Sequence, residues 1–128
     1  MKSLRIILVD DHQIMLDGIS ALLKNDERFS IIGIYTRCAE ALAEMQNVDV
    51  VITDIQMPEM NGYDATRAIR ALPGDKSRVP IIAMSANVMK AEIDRCLEAG
   101  MSKFVPKPYK QEQLLSAIES VLNGKDVR

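Results

Sequence analysis

The sequence has little net charge, and its basic residues are scattered rather than clustered. Sixteen lysines and arginines stand against eighteen aspartates and glutamates, which leaves a formal net charge of -2 at pH 7. Proteins that bind nucleic acid or anionic membranes by electrostatic attraction present a concentrated positive surface. We therefore expect no direct nucleic-acid binding by this segment and no membrane association.

Cysteine is scarce, and the two that occur form no recognisable pattern. Cys38 and Cys96 lie far apart, without a C-x-x-C pair and without the His/Cys spacing of a metal site. A disulfide framework and a zinc site are therefore not indicated. Both cysteines are expected to be reduced thiols, as is usual in the cytosol.

Long hydrophobic runs are absent as well. The N-terminal segment MKSLRIILVDD meets acidic residues too early for a signal peptide or a membrane-spanning helix. We expect a cytoplasmic protein. Its 128 residues, of which 48% are hydrophobic, suit one compact domain over residues 1–128.

What the sequence contains instead is a regular alternation of short apolar runs and longer segments with helical spacing. The runs predict strands buried on both faces, as in a parallel sheet covered by helices. Strands are predicted at 4–9, 30–35, 49–53, 79–84 and 103–105. Helices are predicted around 15–23 and at 38–46, 61–72, 88–99 and 110–122. Five such βα units predict a doubly wound α/β fold with right-handed crossovers and helices on both faces.

In such a sheet the binding groups gather at the carboxyl ends of the strands. The polar residues that follow the predicted strands are Asp10 and Asp11, Asp54, Ser85, and Lys107 before Pro108. Three carboxylates in one crevice repel each other and favour a cation from solution, and Mg²⁺ takes oxygen ligands while retaining displaceable waters. A lysine and a serine suit the oxygens of a phosphoryl group. Together these residues indicate phosphoryl transfer to a carboxylate.

Four motifs spread along the chain resemble those of one family. They are LVDD, ITDIQMPEMNG, MSAN and KPY, in this order and each at the end of a predicted strand. The set is similar to the receiver domain of bacterial two-component response regulators. This resemblance implies a single flavodoxin-like (βα)5 domain with a parallel sheet of strand order 2-1-3-4-5. It also implies a regulatory domain of a phosphorelay, which catalyses its own phosphorylation and dephosphorylation but has no turnover substrate.

The resemblance implies a role for each residue of the acidic set. Asp54 matches the phosphoacceptor. Asp11 matches the direct Mg²⁺ ligand, and Asp10 matches the acid that holds the metal through water. The backbone carbonyl of Gln56 is a further metal ligand in this scheme, and Lys107 matches the lysine that contacts the phosphate. The donor implied is a phosphohistidine on a histidine kinase or on a histidine phosphotransfer domain.

The resemblance also implies a switch and an output surface. Ser85 matches the hydroxyl that moves toward the phosphate, and Phe104 the aromatic residue that changes rotamer on activation. Lys107 and Pro108 match a peptide bond that is cis in the family, a state accessible at low cost only before proline. The expected surface for an output domain or effector consists of helix 88–99, strand 103–105 and helix 110–122.

Two other functional classes fit the sequence less well. A phosphatase of the haloacid dehalogenase type also uses an aspartate at a strand end. It carries a second acid two residues later, however, where this chain has Gln56. A flavodoxin-like module for a nucleotide or flavin needs a phosphate-binding loop after the first strand. Asp10 and Asp11 would repel that phosphate unless a metal intervened.

Other features receive no functional assignment. His12 is expected to be a solvated residue at the start of a helix. Solvated helix faces are expected for Glu40, Glu44, Glu92 and Glu98. The opening VDDHQIMLDGISALL is similar to receivers that precede LuxR-type DNA-binding domains, whereas the central and later motifs resemble receivers of hybrid histidine kinases. The sequence therefore leaves the output domain, dimerisation, the cognate kinase and its signal open.

Overall fold

The computed structural model describes residues 4–43, 45, 48–55, 61–86, 89–107 and 109–123. The strands are β1 (Leu4–Val9), β2 (Phe29–Tyr35), β3 (Val50–Asp54), β4 (Ile81–Ser85) and β5 (Lys103–Pro106). The α-helices are α1 (Gln13–Lys24), α2 (Cys38–Leu42), α3 (Gly62–Arg70), α4 (Lys90–Ala99) and α5 (Gln111–Asn123). All strand pairs are parallel and the sheet order is β2-β1-β3-β4-β5, which confirms the flavodoxin-like α/β fold.

The sheet separates two apolar layers, because successive side chains of a strand point to opposite faces. Along β1, Ile7 and Val9 join one buried cluster, whereas Ile6 and Leu8 join the other. The first cluster contains side chains from α3 and α4, and the second contains side chains from α1 and α5. Every residue of the central strands β3 and β4 is buried, which accounts for the apolar residues that make up most of each strand before its polar end.

The start of α3 fixes the chain against the end of β3. Asn61 caps the helix by accepting a hydrogen bond from the Asp64 backbone N–H at 2.9 Å. Gly62 donates its backbone N–H to the Ile55 carbonyl at 2.8 Å. A Cβ at Gly62 would lie 2.9 Å from the Asp54 carbonyl oxygen, so only glycine permits this approach. The Asn-Gly pair thus positions the backbone around Asp54.

Several predicted boundaries need correction. Asp54 and Ser85 are the last residues of their strands rather than the first residues after them. The helix predicted at 38–46 is observed only as Cys38–Leu42, and residues 44, 46 and 47 lie outside the described part. The polar segment before β4 contains a 3₁₀-helix at Gly74–Arg78. None of the helices in the described ranges combines the length and apolar character needed to cross a bilayer.

Candidate functional site

Three carboxylates converge at the carboxyl edge of the sheet. Asp10 follows β1 directly, and Asp54 ends the neighbouring strand β3; both are buried, with 3% and 4% of their surface exposed. Asp11, one residue later, is open to solvent. One ligand atom from each of these residues and from His12 lies within 4.8 Å of the others. The structure therefore brings together the acidic residues that the sequence predicted.

Lys107 enters the same crevice from the end of β5. Its Nζ donates a hydrogen bond to Asp10 Oδ2 at 3.0 Å and lies 3.2 Å from Asp54 Oδ1. Its backbone N–H donates to the Ser85 carbonyl at 2.9 Å, which holds the end of β5 beside the end of β4. A single ammonium thus bridges two buried carboxylates from two other strands.

One ammonium does not balance the negative charge of this crevice. Burial raises the pKa of the Asp54 carboxyl above its ordinary value, and the charge of Asp10 raises it further. Lys107 acts in the opposite direction, through its charge and its hydrogen bond, but does not cancel the rise. The free energy of ionised Asp54 would therefore fall if a further cation entered the crevice.

The oxygen atoms of this cluster match the preference of Mg²⁺. The ion takes carboxylate and carbonyl oxygens and usually keeps several waters, so it needs few protein ligands. Asp10, Asp11 and Asp54 offer such oxygens. The side chains of Asp10 and Asp54 are buried, so their negative charges are poorly solvated by water. The donor set of this chain therefore fits a magnesium ion. The expected carbonyl ligand, that of Gln56, lies outside the described residues.

The two expected switch residues lie on neighbouring strands. Ser85 is 2% exposed and ends β4, beside the strand that carries Asp54. Phe104, on β5, is paired in register with Ala83 and is partly buried against the apolar layer that includes α4. Pro108, before which a cis peptide bond was predicted, lies outside the described residues.

His12 is the site residue that the sequence analysis missed. Its backbone N–H donates to Asp10 Oδ1 at 2.9 Å, and its ring Nδ1 lies 3.0 Å from the same oxygen. The ring Nδ1 is also 3.2 Å from Asp11 Oδ1. The available signal was its position, directly after two candidate metal ligands at the start of α1.

Known proteins with similar sequences belong to one family. The model of the response regulator receiver domain family matches residues 6–119. "Probable histidine kinase 4" of Oryza sativa subsp. japonica is 33% identical over 91% of this chain, which spans only 14% of that kinase. "Two-component response regulator ORR2" of Oryza sativa subsp. indica is 43% identical over 59% of this chain and 30% of its own length.

Solved structures give the same result for the fold. The receiver domain of sensor histidine kinase PA1611 from Pseudomonas aeruginosa PAO1 superposes with a TM-score of 0.82 and 31% identity. The match covers 92% of this chain and 96% of that domain, which holds a magnesium ion coordinated in its active site cleft. Chemotaxis protein CheY4 of Vibrio cholerae, at 24% identity and a TM-score of 0.84, supports the fold alone.

Proposed function

This chain belongs to the response regulator receiver domain family of two-component signalling, and from that membership we propose that Asp54 is its phosphoacceptor. The observation that carries the proposal is the placement of Asp54. It is a buried carboxylate at a strand end, with Lys107 Nζ 3.2 Å from one oxygen and two further carboxylates within ligand distance. Burial shields this carboxylate from bulk water, and the exposed Asp11 and His12 lie on the solvent side of the same cluster.

The proposed reaction is transfer of a phosphoryl group from a phosphohistidine. A carboxylate oxygen of Asp54 forms a bond to phosphorus while the phosphorus–nitrogen bond of the donor breaks. The histidine ring leaves with the electron pair of that bond. Lys107 is positioned to neutralise one phosphoryl oxygen, and Ser85 to donate a hydrogen bond to another.

The proposed cofactor is Mg²⁺, bound by Asp11 directly, by Asp10 through water, and by Asp54 together with the Gln56 carbonyl. When bound, the ion supplies positive charge that stabilises the transferring oxygens. The residues themselves prepare this role. Asp10 and Asp54 are fixed by Lys107, so the metal needs to order only the exposed Asp11 side chain.

The proposed donor is a histidine kinase or a histidine phosphotransfer domain. The curated relatives include both histidine kinases and a response regulator, so a phosphohistidine source fits the family. The structure adds one supporting feature beside the crevice. Ile14, in the first turn of α1 two residues after His12, is 85% exposed, so a donor protein docked at the crevice would cover an apolar side chain there.

The test is intact-mass measurement after incubation with acetyl phosphate and Mg²⁺, a small donor that needs no partner protein. We expect the mass of one phosphoryl group on the parent and none on Asp54→Asn. Asp17→Asn removes an exposed carboxylate from α1 outside the crevice and is the matched control; it should be phosphorylated like the parent. Equal phosphate on Asp54→Asn, or none on the parent, would refute the assignment.

The proposed output surface is the face formed by α4, β5 and α5. Met89 and Leu97 are 69% and 52% exposed at the two ends of α4, and Phe104 lies partly buried on the adjacent strand. Exposed apolar side chains of this kind suit a protein partner. Movement of Ser85 toward the phosphate would be transmitted to this face, because the Ser85 carbonyl accepts the Lys107 backbone N–H at the end of β5.

This surface can be tested with beryllofluoride, which stands in for the phosphoryl group on Asp54. NMR resonances of Phe104 and of α4 should shift on its addition together with Mg²⁺. Asp54→Asn, which lacks the carboxylate to be modified, should show no such shifts. Changes confined to the loops around Asp54 in the parent would mean that the domain signals through another face.

A further inference from the structure

The imidazole of His12 gives the acidic crevice a nitrogen atom among its oxygens. Its Nδ1 lies 3.0 Å from Asp10 Oδ1, 3.2 Å from Asp11 Oδ1 and 3.8 Å from Asp54 Oδ2. The nitrogen therefore faces all three carboxylates at once. Lys107 occupies the opposite side of Asp10, where its Nζ bonds the other oxygen of the same carboxylate. The crevice thus has an ammonium on its inner side and an imidazole at its mouth.

The shortest of these separations is a hydrogen-bonding contact between Nδ1 and Asp10 Oδ1, and all three are also close to the separations of ligands around one ion. Two adjacent ligands with metal bonds of about 2.0–2.2 Å lie roughly 3 to 3.5 Å apart, depending on whether the geometry is octahedral or tetrahedral. Two of the three separations from His12 fall in this range, and the third exceeds it by a few tenths of an ångström. The His12 side chain is 63% exposed, so its ring has room for the small rotation that would bring Nδ1 onto an ion.

The backbone supports this placement independently of the ring. The His12 N–H donates to Asp10 Oδ1 at 2.9 Å, and the His12 carbonyl accepts hydrogen bonds from Met15 and Leu16 in the first turn of α1. The residue is thereby fixed between a buried carboxylate and a helix. The ring starts from an anchored backbone, which reduces the entropy lost when it binds an ion.

From this geometry we infer that the crevice also takes a first-row transition-metal dication of the Zn²⁺ or Co²⁺ class, with His12 Nδ1 as a nitrogen ligand beside Asp11 and Asp54, while Asp10 still holds the ion through water. Imidazole suits such ions, whereas Mg²⁺ is held through oxygen. His12 should consequently strengthen binding of the transition metal and leave Mg²⁺ binding unchanged. This inference rests on the proposed metal site and adds a ligand and a selectivity to it.

Calorimetric titration of the untagged chain with Co²⁺ and, separately, with Mg²⁺ tests the inference. The comparison uses a Cys38→Ser background, because a thiol also binds transition metals. His12→Ala should weaken Co²⁺ binding by about tenfold or more. Loss of a residue that only supports a metal ligand already has an effect of about this size, and His12 is proposed as a direct ligand. Mg²⁺ binding should not change. Gln13→Ala, which alters the next exposed residue of α1, is the matched control and should bind both ions like the parent.

A spectroscopic readout makes the test direct, because the chain contains one histidine. The Nδ1 resonance of its ¹⁵N-labelled imidazole should shift on addition of Zn²⁺, which is diamagnetic. If the resonance did not shift, or if His12→Ala weakened the binding of Co²⁺ and Mg²⁺ equally, the inference would be overturned. Neither result would contradict the proposed Mg²⁺ site at the carboxylates. Failure of Mg²⁺ to bind the parent would instead contradict the proposed function.

Discussion

At the scale of the residue, Asp54 is a carboxylate that folding makes harder to ionise. Its pKa is raised by burial first and by the charge of Asp10 second. Between the ordinary aspartate value of 3.8 and this raised value, the folded state holds a proton that the unfolded state has lost. Stability attributable to this residue therefore falls as the pH rises through that window. The protein keeps a destabilising group at the position where it performs chemistry.

The first consequence is that Asp54→Asn should stabilise the metal-free protein at neutral pH. The amide occupies the same volume, still accepts a hydrogen bond from Lys107, and carries no charge to bury. The gain in melting temperature over the parent, measured with a chelator present, should be largest near pH 7 and should shrink as the pH falls toward 3.8.

Asp17→Asn provides the control for this comparison, because that side chain is exposed and lies outside the crevice. Its melting temperature should follow that of the parent at every pH. If Asp54→Asn were no more stable than the parent at pH 7, then burial and the charge of Asp10 would not destabilise the ionised Asp54 carboxylate.

His12 shows where reasoning from residue type reached its limit. A lone histidine at a helix start is ordinary, and its residue type alone indicates no partner beyond its sequence neighbours. Asp54 lies 3.8 Å from its Nδ1 only because β1 and β3 are adjacent in the sheet. Such contacts between segments distant in sequence were predicted for the residues at strand ends, but not for His12, the residue that precedes α1.

At the scale of the element, strands were predicted better than helices. The prediction for β1 matches Leu4–Val9, and the other strands shift by one or two residues, because continuous apolar runs mark buried strands clearly. The helix expected at 38–46 is observed as Cys38–Leu42 among the described residues of that segment. Element boundaries depend on local turns and caps, which carry less signal than periodicity.

Tertiary packing also overrode one expectation about a helix face. Glu92 was expected to be solvated but is only 8% exposed, in the first turn of α4. The neighbouring helix α3 brings the Tyr63 ring into the same interface, where burial and then Glu92 raise the pKa of the Tyr63 hydroxyl. Tyr63 and Glu92 are far apart in the sequence, so their proximity could not be predicted from it. The order of the strands in the sheet decides which helices are neighbours. Glu40 and Glu98 are exposed as expected.

At the scale of the whole molecule, the crevice joins three strands of the sheet. Asp10 lies at the end of β1, Asp54 at the end of β3 and Lys107 at the end of β5. These groups meet only when the sheet is assembled. A ligand that binds the assembled crevice therefore binds the folded chain and not the unfolded one, so its binding free energy adds to the stability of the entire domain.

The last prediction is that Mg²⁺ raises the melting temperature of this chain. At a Mg²⁺ concentration ten times the dissociation constant, the linkage relation gives about 1.4 kcal/mol of added stability. For a domain of this size that corresponds to a rise of roughly 4 to 7 °C. Asp11→Asn should lose most of the response, since it removes the proposed direct ligand while leaving the buried Asp10–Lys107–Asp54 contacts in place.

Asp17→Asn removes the same charge from an exposed position on α1 and should keep the full rise in melting temperature on addition of Mg²⁺. Thermal melting monitored by circular dichroism over a Mg²⁺ titration provides the measurement. The comparison separates specific binding from screening of the net negative charge, because screening would act on both variants alike. An equal rise for the parent and for both variants would show that the ion acts through the overall charge, and the crevice would then not be a magnesium site.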